Sequence, residues 1–496
     1  MAESAHFPGG SELPKALTGV RGLDEVTRGG LPRGRPTLVC GGPGSGKTLL
    51  ALTFLVNGAV RFDEPGVLMT FEENGDEIAS DVASLGFDLP GLIAAKKIAV
   101  DYVRVERSEI EETGEYDLEG LFVRLDYAIQ TVGAKRVVLD TIESLFAGLS
   151  NEGILRSELR RLFRWLKDRG MTAVITGERG DGLLTRQGLE EYVSDAVILL
   201  DHRVHDQTST RRLRVVKYRG SHHGTNEYPF LIGTDGISVL PVSSLALQHD
   251  APLERVSSGI ARLDEMLSGE GYYRGSTILV SGTAGCGKTS LSAHFLDAAC
   301  RRGERCLWFL FEESPQQLLR NMLSIGIDLK PWVDAGLLQF HADRPSRHGL
   351  ETHLVAMHHV VAEFKPTVTV IDPVTNLMTI GTQADVQAML TRLIDHLKTE
   401  NVTAMLTSLT PGTIDTDTTI SSLMDTWIVL SNTDEGGVYR RGLGVLKSRG
   451  MAHSNEVREF VLTDHGLDVL SHASEHAASV AGQLLREGRG QHAGVV

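Results

Sequence analysis

Short runs of apolar residues recur along the chain, and helical patterns of apolar and polar positions lie between them. Two runs, Pro36–Cys40 and Ser276–Val280, each precede a glycine-rich segment that leads into a helical pattern. Two others, Arg136–Asp140 and Thr369–Asp372, end in a carboxylate. Continuous apolar strands separated by helices are typical of a mostly parallel sheet that is covered on both faces. The pattern therefore predicts an α/β fold with mostly parallel sheets flanked by helices.

The same segments occur twice along the chain and in the same order. The matching pairs are Thr18–Asp24 with Ser258–Asp264, Gly41–Thr48 with Gly282–Thr289, Phe71–Asn74 with Phe311–Ser314, and Lys217–Gly220 with Lys447–Gly450. Their offsets are nearly constant: 241 for the lysines of the second pair (288 − 47), 240 for the first glutamates of the third (312 − 72) and 230 for the last pair (447 − 217). Each half of the chain therefore contains one complete copy of the same unit.

A chain of 496 residues is too long for one ordinary core, whereas two units of about 230 residues fit the usual size of a domain. We place the first unit at 15–247 and the second at 248–470. Residues 1–14 are expected to form a flexible N-terminus. Residues 471–496 are expected to form a C-terminal tail rich in small residues, with a short helical stretch at Ala477–Arg486.

Both units contain the phosphate-binding pattern G-x-x-x-x-G-K-T, placed after a predicted strand and before a predicted helix. In this pattern backbone N–H groups surround the phosphates, the lysine neutralises them and the hydroxyl residue ligates Mg²⁺. The residues expected to contact the nucleotide are Gly42, Gly44, Ser45, Gly46, Lys47, Thr48 and Leu49 in the first unit and Gly282, Thr283, Ala284, Gly285, Cys286, Gly287, Lys288, Thr289 and Ser290 in the second. Two such motifs predict two P-loop sites for ATP and Mg²⁺.

Asp140 and Asp372 end apolar strands downstream of the two P-loops, which is the position of a Walker B carboxylate. Such an aspartate holds hydrated Mg²⁺ beside the phosphates. An alternative interpretation is a simple cap at the end of a strand. The candidate magnesium ligands are Thr48, Asp140, Thr289, Asp372 and Glu312.

Two adjacent glutamates follow another strand in each unit, Glu72 with Glu73 and Glu312 with Glu313. The carboxyl ends of parallel strands face the ligand crevice, so both pairs are expected on the P-loop side of the sheet. Adjacent carboxylates suit unequal roles, one as a base and the other as a hydrogen-bond acceptor. We predict that they are catalytic, the alternative being a solvated acidic turn.

A lysine and an arginine two residues apart recur late in each unit, Lys217 with Arg219 and Lys447 with Arg449. Both pairs sit in strand-like runs, and strand alternation would direct the two cations to one face. They are compatible with a solvated sheet edge. They are equally compatible with fingers that reach the γ-phosphate of a neighbouring subunit, where positive charge stabilises the transition state.

Composition limits the possible partners and compartments. The formal net charge is −15 with no long basic tract, which makes nucleic acid an unexpected partner because phosphate binding needs clustered Lys and Arg. The four cysteines form no C-x-x-C pair, and reduced, buried thiols are expected. We find no signal-peptide core and no apolar run of about 18 residues, so no membrane span is expected and the predicted location is cytoplasmic.

The combination resembles the KaiC family of circadian-clock ATPases and autokinases, within the RecA/DnaB superfamily. The resemblance covers about 15–470. It rests on the doubled P-loops, the Phe-Glu-Glu segments and the Lys-x-Arg-Gly segments, together with the segments that follow the latter, Glu227–Phe230 and Arg458–Phe460, and with Thr463–Gly466. It implies two tandem RecA-like domains and a homo-hexamer with ATP between subunits. It also implies ATP hydrolysis through Glu72 in the first domain, and Ser/Thr autophosphorylation with autodephosphorylation through Glu312 in the second. The Lys and Arg pairs would then act on the neighbouring subunit.

The phosphate acceptors are likewise implied by the resemblance. Ser421 matches the family's serine, Ser422 stands where the family has a threonine, and Thr416 matches a third, auxiliary hydroxyl. The alternative is a merely polar surface loop. When Asp425 is aligned with Asp195 (425 − 195 = 230), the serines fall opposite Glu191 and Tyr192. The first unit therefore lacks the serine pair.

Two departures from the family qualify the expected partners. The C-terminal tail has no clear match to the segment that binds the activator KaiA, so KaiA is not expected as a partner, whereas a KaiB-like protein is. The Ser-Ser pair resembles a KaiC2-like branch, which leaves a clock role and another signalling role both open. A DNA-acting motor or recombination mediator of the RecA/DnaB type is the competing hypothesis, and a nucleotide-gated scaffold without turnover is a third.

Overall fold

The structure, a computed structural model, describes residues 13–103, 118–145, 152–180, 194–205, 208–233, 236–241, 251–410, 421–435 and 438–471. Contacts divide the chain into two compact units that meet at positions 244 and 245. We describe each unit by itself. The predicted helical stretch Ala477–Arg486, the candidate hydroxyl Thr416, and Glu191 and Tyr192 lie outside the described residues.

In the described part of the first unit, eleven strands and seven helices alternate along most of the chain. The strands are β1 Lys15–Ala16, β2 Leu31–Pro32, β3 Pro36–Gly41, β4 Gly66–Thr70, β5 Ile98–Tyr102, β6 Arg136–Asp140, β7 Thr172–Glu178, β8 Ala196–His205, β9 Thr208–Tyr218, β10 Glu227–Gly233 and β11 Gly236–Val239. The helices are α1 Leu23–Val26, α2 Lys47–Arg61, α3 Gly75–Ala83, α4 Leu89–Ala94, α5 Glu119–Val132, α6 Ile142–Leu145 and α7 Glu152–Asp168.

The second unit repeats this order of elements. Its described strands are β12 Arg255–Val256, β13 Tyr272–Tyr273, β14 Thr277–Gly282, β15 Cys306–Leu310, β16 Leu338–Ala342, β17 Val368–Asp372, β18 Thr403–Leu409, β19 Thr426–Glu435, β20 Val438–Ser448, β21 Val457–Thr463 and β22 Gly466–Val469. Its described α-helices are α8 Ala261–Met266, α9 Lys288–Arg301, α10 Pro315–Leu323, α11 Lys330–Asp334, α12 Leu350–Phe364 and α13 Gln383–Thr399, and short 3₁₀ helices occur at Pro345–Arg347 and Val374–Thr379.

Each unit is built on a nine-stranded sheet of the described residues. The order is β11-β10-β9-β8-β3-β7-β6-β4-β5 in the first unit and β22-β21-β20-β19-β14-β18-β17-β15-β16 in the second. The six strands from β8 to β5, and likewise from β19 to β16, run parallel. The other three strands of each sheet add antiparallel pairs. The predicted α/β fold of two tandem RecA-like domains is confirmed.

Burial explains why the central strands are apolar throughout. In β4, Leu68 packs in one hydrophobic core, whereas its neighbours Val67 and Met69 pack in another. Side chains alternate between the faces of a strand, so two separate cores mean that both faces of this sheet are covered. The four cysteines are buried and free, as the spacing predicts. Within the described residues, no helix has the length and apolar character that crossing a bilayer requires.

The helices that follow the glutamate pairs begin at residues that can cap them. Asn74 accepts hydrogen bonds from two backbone N–H groups of the first turn of α3, and Ser314 accepts one from the first turn of α10. The side chains of Glu77 and Gln317 complete a capping box in each case. A capping box satisfies two backbone donors at once and fixes where a helix starts. The turn between strand and helix, which contains the glutamate pair, is therefore held at the end where the helix begins.

Candidate nucleotide sites and the opposite sheet edge

Both P-loops lie at the carboxyl end of a central strand and lead directly into a buried helix, α2 or α9. Gly44 and Gly46 have φ values of 68° and 97°, and Gly285 and Gly287 have values of 74° and 102°. Residues other than glycine rarely adopt this left-handed conformation, and it turns backbone N–H groups toward one point. The local sequence thus produces the concave loop that a chain of phosphates requires.

The P-loop lysines fold back over their own loops. Lys47 Nζ donates to the carbonyl oxygens of Gly41 and Gly42 at 3.0 Å. Lys288 Nζ donates to those of Gly282 and Thr283 at 2.8 Å. Both ammonium groups are therefore held at the mouth of the loop, where the terminal phosphates of a nucleotide would replace the carbonyl oxygens as partners.

The two aspartates at the ends of β6 and β17 have equivalent surroundings. Asp140 is 7 % exposed and Asp372 is 8 % exposed, and burial raises the pKa of both carboxyl groups. Hydrogen bonds from Thr48 to Asp140 and from Thr289 to Asp372 (2.9 Å) oppose that rise by favouring the charged form. The structure thus brings each P-loop hydroxyl against the aspartate with which it was paired from the sequence.

Sequence reasoning missed a second hydroxyl at each aspartate. Thr176 in β7 donates to Asp140, and Thr407 in β18 donates to Asp372. The two threonines occupy matching positions in the repeat (407 − 176 = 231). A polar residue at the same place in two buried strands is the signal that would have identified them, because a buried hydroxyl needs a partner.

In the first unit, Glu72 is held by two hydroxyl groups that sequence reasoning also missed. Thr141 Oγ1 donates to Glu72 Oε1 at 3.0 Å, and Ser144 Oγ donates to the same oxygen at 2.5 Å. The adjacent Glu73 differs, because burial, and then the nearby carboxylates of Asp81, Asp140 and other acidic neighbours, raise its pKa. The two glutamates of this pair are therefore not equivalent.

The second unit lacks these two anchors. The position of Thr141 is taken by Pro373 (141 + 232), which has no hydroxyl, and that of Ser144 by Asn376 (144 + 232). The amide of Asn376 donates to the backbone carbonyl of Phe311 at 3.4 Å instead of to a glutamate. Glu312 and Glu313 therefore border the site without the two hydroxyl contacts that fix Glu72.

A cavity of about 280 Å³ lies between the second P-loop and these carboxylates, and its lining includes Lys288, Thr289, Glu312, Glu313 and Asp372. The described residues contain no cluster of three or more metal-ligating side chains. The hydroxyl of Thr289 and the carboxylate of Asp372 nevertheless fit Mg²⁺. Proteins commonly bind this ion through one or two carboxylates, while water and phosphate complete its octahedron. ATP and Mg²⁺ therefore fit the residues that are present.

The lysine–arginine pairs lie at the opposite edge of the sheet from the P-loop of their own unit. Lys217 pairs with Val197 of β8, which pairs with Leu38 near the start of β3. The backbone N–H of Arg219 donates to the carbonyl of Asp195 at 2.9 Å, just before β8 begins. At about 3.3 Å per residue, the three steps from Leu38 to Gly41 place Lys217 roughly 10 Å from the start of the P-loop along the strand direction, and Arg219 lies farther from it.

The second unit repeats this arrangement at Lys447 and Arg449. Lys447 pairs with Trp427 of β19, which pairs with Leu279 near the start of β14. The prediction that both cations lie in a strand was wrong for the arginines, since β9 ends at Tyr218 and β20 ends at Ser448. Each arginine is the first residue after its strand, so strand alternation does not set its direction.

Ser421 and Ser422 lie at this same edge and contact the second cation pair. Lys447 Nζ donates to the backbone carbonyl of Ser421 at 2.8 Å, and Arg449 Nη2 donates to that of Ser422 at 2.7 Å. The structure therefore brings the predicted acceptors to the predicted fingers and places both far from the P-loop of their own unit.

Comparison with known proteins agrees with this architecture. The family model "ATPase: KaiC" matches residues 16–244 and again 256–474. The chain is 57 % identical over 463 residues to "Circadian clock protein KaiC2" of Synechocystis sp., which covers 92 % of this chain and 82 % of that protein. It is 38 % identical to "Circadian clock oscillator protein KaiC" of Parathermosynechococcus lividus, over 92 % of this chain and 85 % of that protein.

A third relative, "Circadian clock protein KaiC3" of Synechocystis sp., is 36 % identical over 465 residues and covers 92 % of both proteins. The matches extend through both repeats, so they concern the whole two-unit architecture and not one P-loop alone. A nucleotide-binding role follows from the ATPase domain that each half matches. This chain belongs to the KaiC family of circadian-clock proteins and contains two copies of its ATPase domain.

Proposed function

We propose that the protein is a homo-hexameric, Mg²⁺-dependent ATPase and Ser/Thr autokinase, with ATP hydrolysis in the unit at 15–247 and phosphoryl transfer in the unit at 248–470. Ser421 and Ser422 are the acceptors. The observation that carries the proposal is the location of both serines at the sheet edge opposite their own P-loop, together with Lys447 and Arg449. A transfer of phosphate to these serines therefore requires ATP on a neighbouring subunit.

The same geometry supports the hexamer. A lysine side chain reaches about 6 Å, which is less than the roughly 10 Å that separate Lys217 or Lys447 from the P-loop of the same unit along the strand direction. This separation supports the proposal that the phosphates contacted by these cations are those of another copy, for Lys217, Arg219, Lys447 and Arg449 alike. A closed ring of six copies places one such edge against each P-loop, because head-to-tail contacts that close form rings.

In the first unit, we assign Glu72 to the attacking water. Its carboxylate is fixed by Thr141 and Ser144, so one oxygen has a set direction. Lys47 and the positive φ glycines hold the β- and γ-phosphates, and Lys217 and Arg219 of a neighbour stabilise the charge that develops on transfer. When bound, Mg²⁺ supplies charge neutralisation at the phosphate oxygens, with Thr48 and Asp140 as the residues that hold it.

In the second unit, we assign Glu312 as the base for a serine hydroxyl. The serine Oγ forms a bond to the γ-phosphorus, the bond from that phosphorus to the β–γ bridging oxygen breaks, and ADP leaves. The serine proton passes to the Glu312 carboxylate. Without hydroxyl anchors equivalent to those at Glu72, this carboxylate is able to approach a hydroxyl from another chain. Thr289 and Asp372, which lie in hydrogen-bond contact, would hold Mg²⁺ in this unit.

The remaining assignments follow from membership of the family. We propose a role in a clock or related signalling system, cytoplasmic location, and a KaiB-like protein as partner. A DNA-acting motor is the less favoured alternative, because the family match and the paired serines both support the autokinase, whereas no described feature requires DNA.

Removing the anchors of Glu72 is expected to slow ATP hydrolysis. The double variant Thr141→Val/Ser144→Ala should reduce turnover at least tenfold, because hydrogen bonds to a charged group contribute about 1.5–3 kcal/mol each. Steady-state phosphate release at saturating ATP measures the loss. Asn376→Ala is the matched control in the second unit and should leave that rate unchanged, since its amide contacts Phe311. Equal losses in both proteins would contradict the assignment.

The proposed function as a whole is tested by incubating purified protein with ATP labelled at the γ-phosphate, with and without Mg²⁺. We expect release of inorganic phosphate, stable label on the protein and a hexamer by native mass measurement, all dependent on Mg²⁺. The serine acceptors would be disproved by an active ATPase that never retains label. A monomer that labels itself as rapidly at high dilution would disprove transfer between subunits.

A further inference from the structure

Two charged hydrogen bonds connect Ser421 and Ser422 to the end of β20 and to the residue that follows it. Lys447 Nζ reaches the carbonyl of Ser421 at 2.8 Å, and Arg449 Nη2 reaches the carbonyl of Ser422 at 2.7 Å. Hydrogen bonds from a charged donor are shorter and roughly twice as strong as neutral ones. Each candidate acceptor is thus tied to its own cation, and we call these two contacts the serine clamp.

Asp425, three residues after Ser422, fixes the same segment to the sheet. Asp425 receives a hydrogen bond at its backbone carbonyl from Arg449 N (2.8 Å), and its carboxylate pairs with Lys398 (2.8 Å) and with Thr277 (2.9 Å). Burial alone would raise the pKa of Asp425, but Lys398 and Thr277 outweigh burial and lower it. The segment is therefore fixed at Asp425 by charged contacts. The serine clamp holds the short stretch that precedes this fixed point.

The serine clamp holds the two acceptors at different depths. Ser421 is 7 % exposed, whereas Ser422 is exposed. Lys447 is itself partly buried beside Arg449, and burial and the neighbouring cation lower its pKa. Lys447 thus secures the inner serine and Arg449 the outer one.

We propose that Lys447 and Arg449 are positioning residues that select the acceptor, Lys447 presenting Ser421 and Arg449 presenting Ser422 to the ATP of a neighbouring subunit. This inference rests on the proposed function and adds to it. A finger that only stabilised the γ-phosphate would affect both serines alike. A residue that holds one serine carbonyl affects that serine more, because a shift of about 1 Å in the attacking group lowers the rate by orders of magnitude.

The test compares Lys447→Met with Arg449→Met in the whole chain. Both substitutions keep an apolar stem and remove the charge. After incubation with ATP and Mg²⁺, phosphate at each serine is quantified by mass spectrometry. We expect Lys447→Met to lower the ratio of phospho-Ser421 to phospho-Ser422 about tenfold and Arg449→Met to raise it by a similar factor. Amide hydrogen exchange should increase at Ser421–Asp425 and stay unchanged in β14 and β17.

Lys217→Met is the matched control, since it removes the equivalent cation from the unit without the serine pair and should leave the ratio unchanged. If a Met variant unfolds the second unit, Lys447→Arg and Arg449→Lys decide instead, and both should keep a ratio near that of the unaltered protein. Equal loss of phosphate at both serines in each variant would overturn the serine clamp and leave the autokinase standing. An unaltered protein without phosphate on either serine would overturn both.

Discussion

Glu312→Gln is expected to abolish phosphorylation of Ser421 and Ser422 while most ATP hydrolysis continues, and Glu72→Gln is expected to do the reverse. A positioned general base contributes about 10²- to 10⁴-fold to a rate, and glutamine cannot accept a proton. The effects should differ because the surroundings differ: Glu72 is fixed by Thr141 and Ser144, whereas Glu312 has Pro373 and Asn376 at those places. We therefore propose that each carboxylate serves a different nucleophile.

Two assays on the same preparations separate the activities. Phosphate release measures hydrolysis, and intact-protein mass measures retained phosphate. Glu73→Gln and Glu313→Gln are the controls, because they change the neighbouring carboxylate and keep the proposed base. If both substitutions at the first glutamates reduced both activities by the same factor, the division of labour between the units would be wrong.

Lys47→Ala and Lys288→Ala should each remove nucleotide from one unit only. The ammonium group of each lysine lies at the mouth of its own P-loop, where it donates hydrogen bonds to the loop carbonyls at 3.0 Å (Lys47) or 2.8 Å (Lys288). Without it, the charge of the β- and γ-phosphates is not neutralised, and the affinity for ATP should fall by several orders of magnitude. Bound nucleotide per chain should therefore drop from two to one in either variant.

The lysine variants also report on assembly. Because ATP lies between subunits in the proposed ring, loss of nucleotide from one unit should shift the native mass toward smaller species. Lys330→Ala is a suitable control, since the Lys330 side chain is 67 % exposed and pairs with Asp334 of its own helix. Two nucleotides per chain in either P-loop variant would refute the corresponding site.

The sequence was sufficient to predict the sheets and the P-loops because both depend on local spacing. The repeat was predictable because the same local patterns occur twice in the same order. Apolar strand runs, helical periodicity and the glycine pattern are read within windows of about ten residues. The pairing of Thr289 with Asp372 was also predictable, since it joins two motifs with known relative positions. These features make up most of what binds the nucleotide.

Contacts between distant segments were not predictable in the same way. Thr141 and Ser144 reach Glu72 only because β6 lies beside β4 in the sheet, with Asp140 opposite Thr70. No spacing in the sequence states which strands are neighbours. The difference between the two glutamates therefore emerges from the repeat only after the structure shows which residues border each of them.

The position of the cation pairs depends on sheet register. An irregular pairing between Trp427 and Ile428 precedes Lys447, and a matching irregularity between Val197 and Ile198 precedes Lys217. A β-bulge shifts the side-chain alternation by one residue, so alternation counted from the sequence fails beyond it. The observed edge, and not the predicted face, is what supports the proposed action on a neighbouring subunit.

The central claim is that the γ-phosphate of the second site passes to Ser421 and Ser422. Site-resolved mass spectrometry of the purified protein after incubation with ATP and Mg²⁺ tests it most directly, with Ser421→Ala/Ser422→Ala as the comparison. We expect phosphate on these two serines in the unaltered protein. In the double variant we expect the loss of nearly all retained phosphate. Equal retention of phosphate by the double variant, or phosphate located only elsewhere in the chain, would contradict the account.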